Sequence, residues 1–251
     1  VVAIEVLGEG SAAALTGELG GQALAFFWSG NRHRALAGLD VDARPGSHSW
    51  RIDIQRPGRP LQTLAGSFAV APRQFTVQKL TLPKGMVDLD PETERRALAE
   101  GEQLRALYRT LTPERLWRGR FLRPLAGDEP GSGFGSRRII NGQPRAPHTG
   151  VDYAAPTGTP VLAANAGRVA LVAEFFFPGR LAVLDHGLGL HTLYFHLDRV
   201  SVQEGQIVDR GEAIGTVGAT GRATGPHLHF GAQIGAARVD PEVLLALDIR
   251  D

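Results

Sequence analysis

The sequence predicts a mainly β protein, with a smaller β domain, a linking helix and then a larger antiparallel β domain. Three observations predict it. Residues 1–82 are short apolar or alternating runs separated by Gly, Pro and Ser clusters. One stretch with helical spacing follows near residue 90. Beyond residue 118, short glycine-punctuated runs return without helical periodicity. The expected boundaries are therefore 1–85, 86–117 and 118–251, within a chain of 251 residues that has room for two modest domains.

The first region offers "VVAIEVLG", "QALAFFW", "HSWRIDIQ", "SFAVA" and "QFTVQKLTL" as strands, of which "RIDIQ" and "FTVQKLTL" alternate as half-buried strands do. Its two histidines, His33 and His48, stand apart among polar residues and are expected on the surface. In the helix, Asp90 suits the N-cap, Pro91 the first helical position, and Glu92 and Glu94 the positive end of the dipole. Ala97, Leu104, Leu107, Tyr108 and Leu111 fall on one face. Capping explains the carboxylates of "DLDPETE" better than a metal cluster does. The Gly/Pro-rich "RFLRPLAGDEPGSGFGSRR" reads as a junction. The last region offers "PVLAA", "GRVALVAEF", "RLAVLDH", "LHTLYFHL", "QIVD", "AIGTVG" and "HLHFGAQI", strands short enough to need a closed or doubled sheet.

Composition removes several function classes. The net charge of +1 gives no general attraction to nucleic acid or to an anionic membrane. With no cysteine, thiol catalysis, disulfides and thiolate metal sites are excluded. No apolar run approaches the ~20 residues of a membrane span. The chain starts at Val1 with no visible leader, and whether a signal or anchor once preceded it is left open.

Six of the eight histidines lie after residue 147. In "HLH", His227 and His229 are two apart, so on a strand both project to one face. Unpaired burial of two imidazoles is costly, and a shared metal or substrate would explain them. In "HTGVD", His148 and Asp152 add an imidazole and a carboxylate, both common zinc ligands. Two histidines and a carboxylate would complete a three-ligand catalytic site with its fourth position open to water. A hydrolytic site also needs a proton acceptor, and no HExxH helix supplies one, so other histidines, such as His196 of "YFHL", are candidates.

Together, "HTGVDYAAPTGTPV", "LYFHL", "VQEGQIVDRGEAIGTVGATG" and "TGPHLHF" resemble the lysostaphin/LytM-type zinc metallopeptidases, over roughly residues 130 to 241. The resemblance implies a zinc endopeptidase acting on peptide cross-links of bacterial peptidoglycan. It assigns His148, Asp152 and His229 as zinc ligands and His227 and His196 as the catalytic pair, with their two roles interchangeable. All five positions are occupied, whereas many relatives have lost some and act only as activators of other hydrolases. By resemblance to Gram-negative relatives with a comparable leading β domain, the D-alanyl–diaminopimelyl link is favoured over glycine bridges, and action on the wall implies a periplasmic or secreted location. For residues 1–85, docking, autoinhibition and binding of a regulatory protein stay open.

The other features take plainer readings. His186 is expected to be a turn or structural histidine. His191, five residues before His196, is expected on the opposite face of a regular strand, with a surface or packing role. Tyr194 and the run Phe175–Phe177 are divided between core and groove wall. "GTVGATGRATG" lacks the GK[ST] ending of a phosphate loop. "VQEGQIVDRGEAIG" resembles a biotinyl-type carrier turn, but no lysine follows Lys84 to carry the group. The alternative of another class is a peptidoglycan-binding or regulatory protein with an idle or masked zinc site.

Overall fold

Why these residues form sheets is clearest at the centre of the molecule. In β14 (Gly179–Gly187), β15 (Leu190–Val200) and β18 (His227–Ile234), leucine, valine, isoleucine and aromatic residues recur on both strand faces, and most residues of the three strands are buried. The computed structural model describes residues 1–82, 85, 87–127, 131 and 133–248. Among these, the N-terminal strands are β1 (Val2–Val6), β2 (Ala14–Leu19), β3 (Gln22–Ala23), β4 (Phe27–Ser29), β5 (Arg32–Ala37), β6 (Gly46–Gln55), β7 (Gln62–Val70) and β8 (Val77–Leu80). Helix α1 (Pro91–Tyr108) follows, then β9 (Arg137–Ile140), β10 (Gln143–Arg145), β11 (Gly150–Ala154), β12 (Pro160–Leu162) and β13 (Gly167–Phe175). After β14 and β15 come β16 (Ile207–Val208), β17 (Ala213–Val217), β18, β19 (Ala237–Val239) and a short helix α2 (Pro241–Ala246).

The large sheet is antiparallel throughout, ordered β11-β18-β15-β14-β13-β16, with β12 and β17 paired to each other beside β15 and β19 beside β18. Leu184, Tyr194, Leu228 and Phe230 fill the core on one of its faces. A buried side chain of this kind contributes about 1.5–3 kcal/mol. The other face carries Leu171, Leu181, Val183 and Leu193, onto which α1 lays Leu104, Leu107 and Tyr108. Asp90 caps that helix, accepting from the backbone N–H of Glu92 and Thr93, as its sequence predicts. Leu111 falls beyond the helix and is exposed, because the chain turns at Arg109.

Ahead of α1, two small sheets, β1-β5-β4 and β3-β2-β6-β7, enclose their own apolar clusters around Ile54 and Ala35. They are tied to the large sheet through Arg238, whose Nε donates to Asp40 at 2.9 Å, and Gln22, whose Nε2 donates to the carbonyl of Ile234 at 2.7 Å. His33 is buried here with Nε2 3.1 Å from the Gly10 carbonyl, so its polar neighbours in sequence misled the surface expectation. The last N-terminal strand, β8, runs parallel to β9 and completes a sheet with β10, joining residues on either side of the expected boundary at 85. α2 interrupts the expected run of strands; Asp240 caps it and Pro241 opens it.

His186 is structural. It is fully buried on β14, donates from Nδ1 to the Ala166 carbonyl at 2.8 Å and meets the Thr192 hydroxyl through Nε2 at 2.8 Å. Burial outweighs the hydrogen bond to Ala166 and pushes its pKa from 6.5 down to about 4. Between those values the unfolded chain binds the proton and the folded one does not. Stability is therefore full above about pH 6.5 and is lost as pH falls towards 4, by about 3 kcal/mol. The expected result is that thermal melts at pH 7 and pH 4.5 differ more for the native chain than for His186→Gln; equal losses refute it.

Candidate metal and catalytic site

The site lies on the α1 side of the large sheet. Strand pairing sets Asp152 on β11 directly opposite His229 on β18, and His229 opposite Phe195 on β15. His227, two residues before His229, shares that face. His148 enters from the segment just before β11 and is buried at 1% exposure. Gly150 makes the close approach possible: a Cβ there would fall 2.7 Å from Nε2 of His229 and collide with the Phe230 carbonyl.

Three ligand atoms converge. His148 Nε2 lies 2.8 Å from His229 Nδ1 and 3.0 Å from Asp152 Oδ1, and His229 Nδ1 lies 2.9 Å from the same carboxylate oxygen. Among the described residues these are the His/Asp group able to hold a metal. Burial alone would raise the Asp152 carboxyl, but hydrogen bonds and charge from His148 and His229 outweigh it and hold it well below the ordinary range. Burial lowers His229, against its bond to Asp152. The triangle is poor as a hydrogen-bond network, since two imidazole nitrogens face each other and the buried Nδ1 of His148 has no partner among the described residues. It suits a cation well. Tetrahedral zinc with bonds of about 2.0–2.2 Å spaces its ligands about 3.3 Å apart, close to the spacings here.

Two more histidines face the same space. His196 and His227 have ring centroids 4.7 Å apart, and His196 stands 6.1 Å from His229. Each donates Nδ1–H to a carbonyl at 2.8 Å, His196 to Thr220 and His227 to Gly225. That fixes the tautomer and leaves the Nε2 lone pair for the site. Nε2 of His227 is 3.8 Å from Asp152. Burial lowers His196 to about 3, so it rests neutral.

His196 reaches this face through a break in alternation. The β14–β15 register shifts between Arg180 and Ala182, so that Phe195 and His196 together oppose a single residue, and His196 adopts φ 64°. Strand parity measured from His196 therefore misplaces His191, which shares the face of Leu193 and Phe195 and is buried against Tyr108. Tyr194 points the other way, into the core, where its hydroxyl accepts from Ala164 N–H at 2.8 Å. The phenylalanine run divides: Phe175 is core and Phe177 lines the cavity.

That cavity has a volume of about 800 Å³. Its second wall comes from β8, β9 and the first turns of α1, with Gln78, Leu80 and Ala97 among the lining. Sequence reasoning missed Arg138, Arg145 and Arg222, which also line it. Only the junction's and the glycine loop's position beside the histidine motifs could have drawn attention to them.

With this geometry in view, likeness to known proteins is informative. The family model for peptidase family M23 matches residues 146–241, the stretch that holds all five site residues. A Pseudomonas aeruginosa crystal structure that carries the name peptidase M23 superposes with a TM-score of 0.73 at 30% identity, over 97% of this chain and 92% of that one. The chain belongs to peptidase family M23. The M23 stretch is 44% identical over 101 residues to the peptidoglycan DD-endopeptidase ShyB of Vibrio cholerae, covering 39% of this chain and 24% of ShyB. It is 48% identical over 94 residues to the DD-carboxypeptidase/endopeptidase Mpg of Neisseria meningitidis, covering 38% of this chain and 22% of Mpg. The M23 chain thus spans about a quarter of the length of these curated relatives. Among its described residues no helix is long and apolar enough to cross a membrane.

Proposed function

We propose that the chain is a zinc-dependent endopeptidase of the cell envelope that hydrolyses peptide cross-links of peptidoglycan at the D-alanyl–diaminopimelyl bond. The observation that carries this reading is the convergence of His148, Asp152 and His229 beneath two histidines whose Nε2 atoms are free to exchange protons. The names of the M23 relatives support the substrate.

His148, Asp152 and His229 would hold the zinc ion. When bound, zinc supplies Lewis acidity that acidifies a water molecule and polarises a carbonyl. His227 accepts the proton of the attacking water at Nε2, while its Nδ1–H bond to Gly225 keeps the ring aimed. His196, neutral at rest and fixed by Thr220, faces the carbonyl side; on taking over the water's proton from His227, whose ring centroid lies 4.7 Å from its own, it stabilises the developing negative charge or passes that proton to the leaving amine. Phe195, stacked on His229 with ring centroids 5.3 Å apart, holds that imidazole in plane.

The test is digestion of purified sacculi of defined chemistry, with products identified by mass spectrometry. Release of fragments cut between D-alanine and diaminopimelate, stopped by chelator and restored by zinc, is expected. Binding without cleavage, indifferent to chelator, would replace the enzyme with a wall-binding regulator. Cleavage of glycine bridges alone would overturn the substrate.

A further inference from the structure

We propose that Arg138, Arg145 and Arg222 form a carboxylate-binding subsite of the catalytic cavity, which holds a free carboxylate carried by the substrate beside the bond to be cut. The substrate in this statement rests on the endopeptidase reading above.

The three arginines come from separate places, β9, the end of β10 and the loop before β18, yet line one cavity with the metal ligands. Their donors are poorly used. Among the described residues, Nε of Arg138 and Nε of Arg145 are buried without a hydrogen-bond partner. Among the described residues, the carboxylate paired with Arg138 is Oδ2 of Asp152 at 3.9 Å, too far for a hydrogen bond and on a residue of the candidate metal site. Arg145 spends Nη2 on the Val87 carbonyl at 3.2 Å and on Gln143 Oε1 at 2.6 Å. Arg222 lies over the Phe177 ring at 4.1 Å, which fixes its plane and leaves its N–H edges for a ligand.

Gathering three cations in one partly closed space is costly. Burial, followed by the charges of Arg138 and Arg145, lowers Arg222 to about 10, so the three groups feel one another. Among the described lining residues, the acids besides Asp152 are Asp88 and Glu94. Both belong to the wall leading into and along α1, and Asp88 accepts from Gln143 at 3.4 Å. An anion entering between the guanidinium groups offsets their mutual repulsion.

Substrate chemistry supplies that anion. In a D-alanyl–diaminopimelyl link the carbon bearing the amide nitrogen also bears a carboxylate; in a glycine bridge it bears two hydrogens and a neutral peptide carbonyl. A guanidinium fork pairs with a carboxylate through two parallel bonds, a geometry a carboxamide cannot reproduce. The subsite therefore sets specificity for links of the first kind.

The experiment uses paired cross-linked peptides that differ only in whether this diaminopimelyl carboxylate is free or amidated. Two readouts are taken on the zinc-loaded full chain: kcat/KM for cleavage, and calorimetric binding of the matching product peptides. The native chain is expected to prefer the free acid by at least about tenfold in both, the scale of one hydrogen bond to a charged group. Arg138→Gln, Arg145→Gln and Arg222→Gln each bring the ratio towards one, and Arg222→Lys keeps part of it. Melting temperature and metal content identify variants that fail to fold, and the native pair decides on its own if any do. Equal treatment of both forms by the native chain, or a full preference in well-folded variants, overturns the subsite. Cleavage of both forms at equal rates leaves the endopeptidase reading standing without the subsite; preferential binding of the free acid without cleavage leaves the subsite standing without the endopeptidase.

Discussion

Asp152→Ala is expected to purify without its metal and without activity, whereas His227→Ala keeps one metal per chain and loses turnover by about 10²–10⁴-fold, the usual loss for a missing general acid or base. The separation follows from position. Asp152 Oδ1 touches both imidazole nitrogens of the triangle, so removing it takes away a ligand and leaves His148 and His229 to face each other directly. Nε2 of His227 stands further out, 3.8 Å from the carboxylate, with its other nitrogen occupied by Gly225. Elemental analysis after dialysis measures the metal, and digestion of cross-linked peptide measures turnover. Asp152 is a better probe than His148, because its side chain is 32% exposed and its loss opens no deep cavity. Full zinc content in Asp152→Ala would show the ligand assignment to be wrong; lost zinc in His227→Ala would move that residue into the metal shell.

The largest effect on stability is expected at Gly187, on the far side of the molecule. Its φ of 85° disfavours any other residue, and a Cβ would run into the Glu114 carbonyl, with that group's carbon only 2.9 Å away. The obstacle is backbone and is itself pinned. Leu116 N–H donates to the His186 carbonyl at 2.8 Å, and Leu188 N–H donates to the Thr112 carbonyl at 2.7 Å. The Thr112 hydroxyl also donates to Asp185. Gly187→Ala is therefore expected to cost about 2–5 kcal/mol, a fall in melting temperature of about 5–15 °C in a chain of this size. Gly205→Ala is the control: its φ of 83° is similar, but nothing lies within 4 Å of the added carbon, so it carries the backbone strain alone, about 1 kcal/mol. Equal melting temperatures for the two variants would refute the steric argument.

What could be read from the sequence was local or periodic. Asp90 and Pro91 announce the helix because capping involves only the next three residues. His227 and His229 announce a shared face because strand alternation is rigid over two residues. Unreadable features depend on distant partners. The turn of His196 onto the face of His229 needs the register shift against β14, which no spacing within "LYFHL" reveals. Burial of His33 needs Gly10, and the pairing of β8 with β9 joins residues about sixty positions apart. The arginines of the cavity are silent for the same reason: each is an ordinary charged residue in its own neighbourhood and becomes unusual only beside the other two.

The parallel pairing of β8 with β9 bears on how such a protein can be taken apart. Gln78 and Leu80 on β8, and Ala97 on α1, form one side of the space that holds His148, Asp152 and His229. A fragment cut to the 146–241 stretch would keep all five site residues and lose that side. It would be a wider, less discriminating version of the same machine. Recombining this catalytic stretch with an unrelated leading segment would therefore change what fits, even with every reacting group retained.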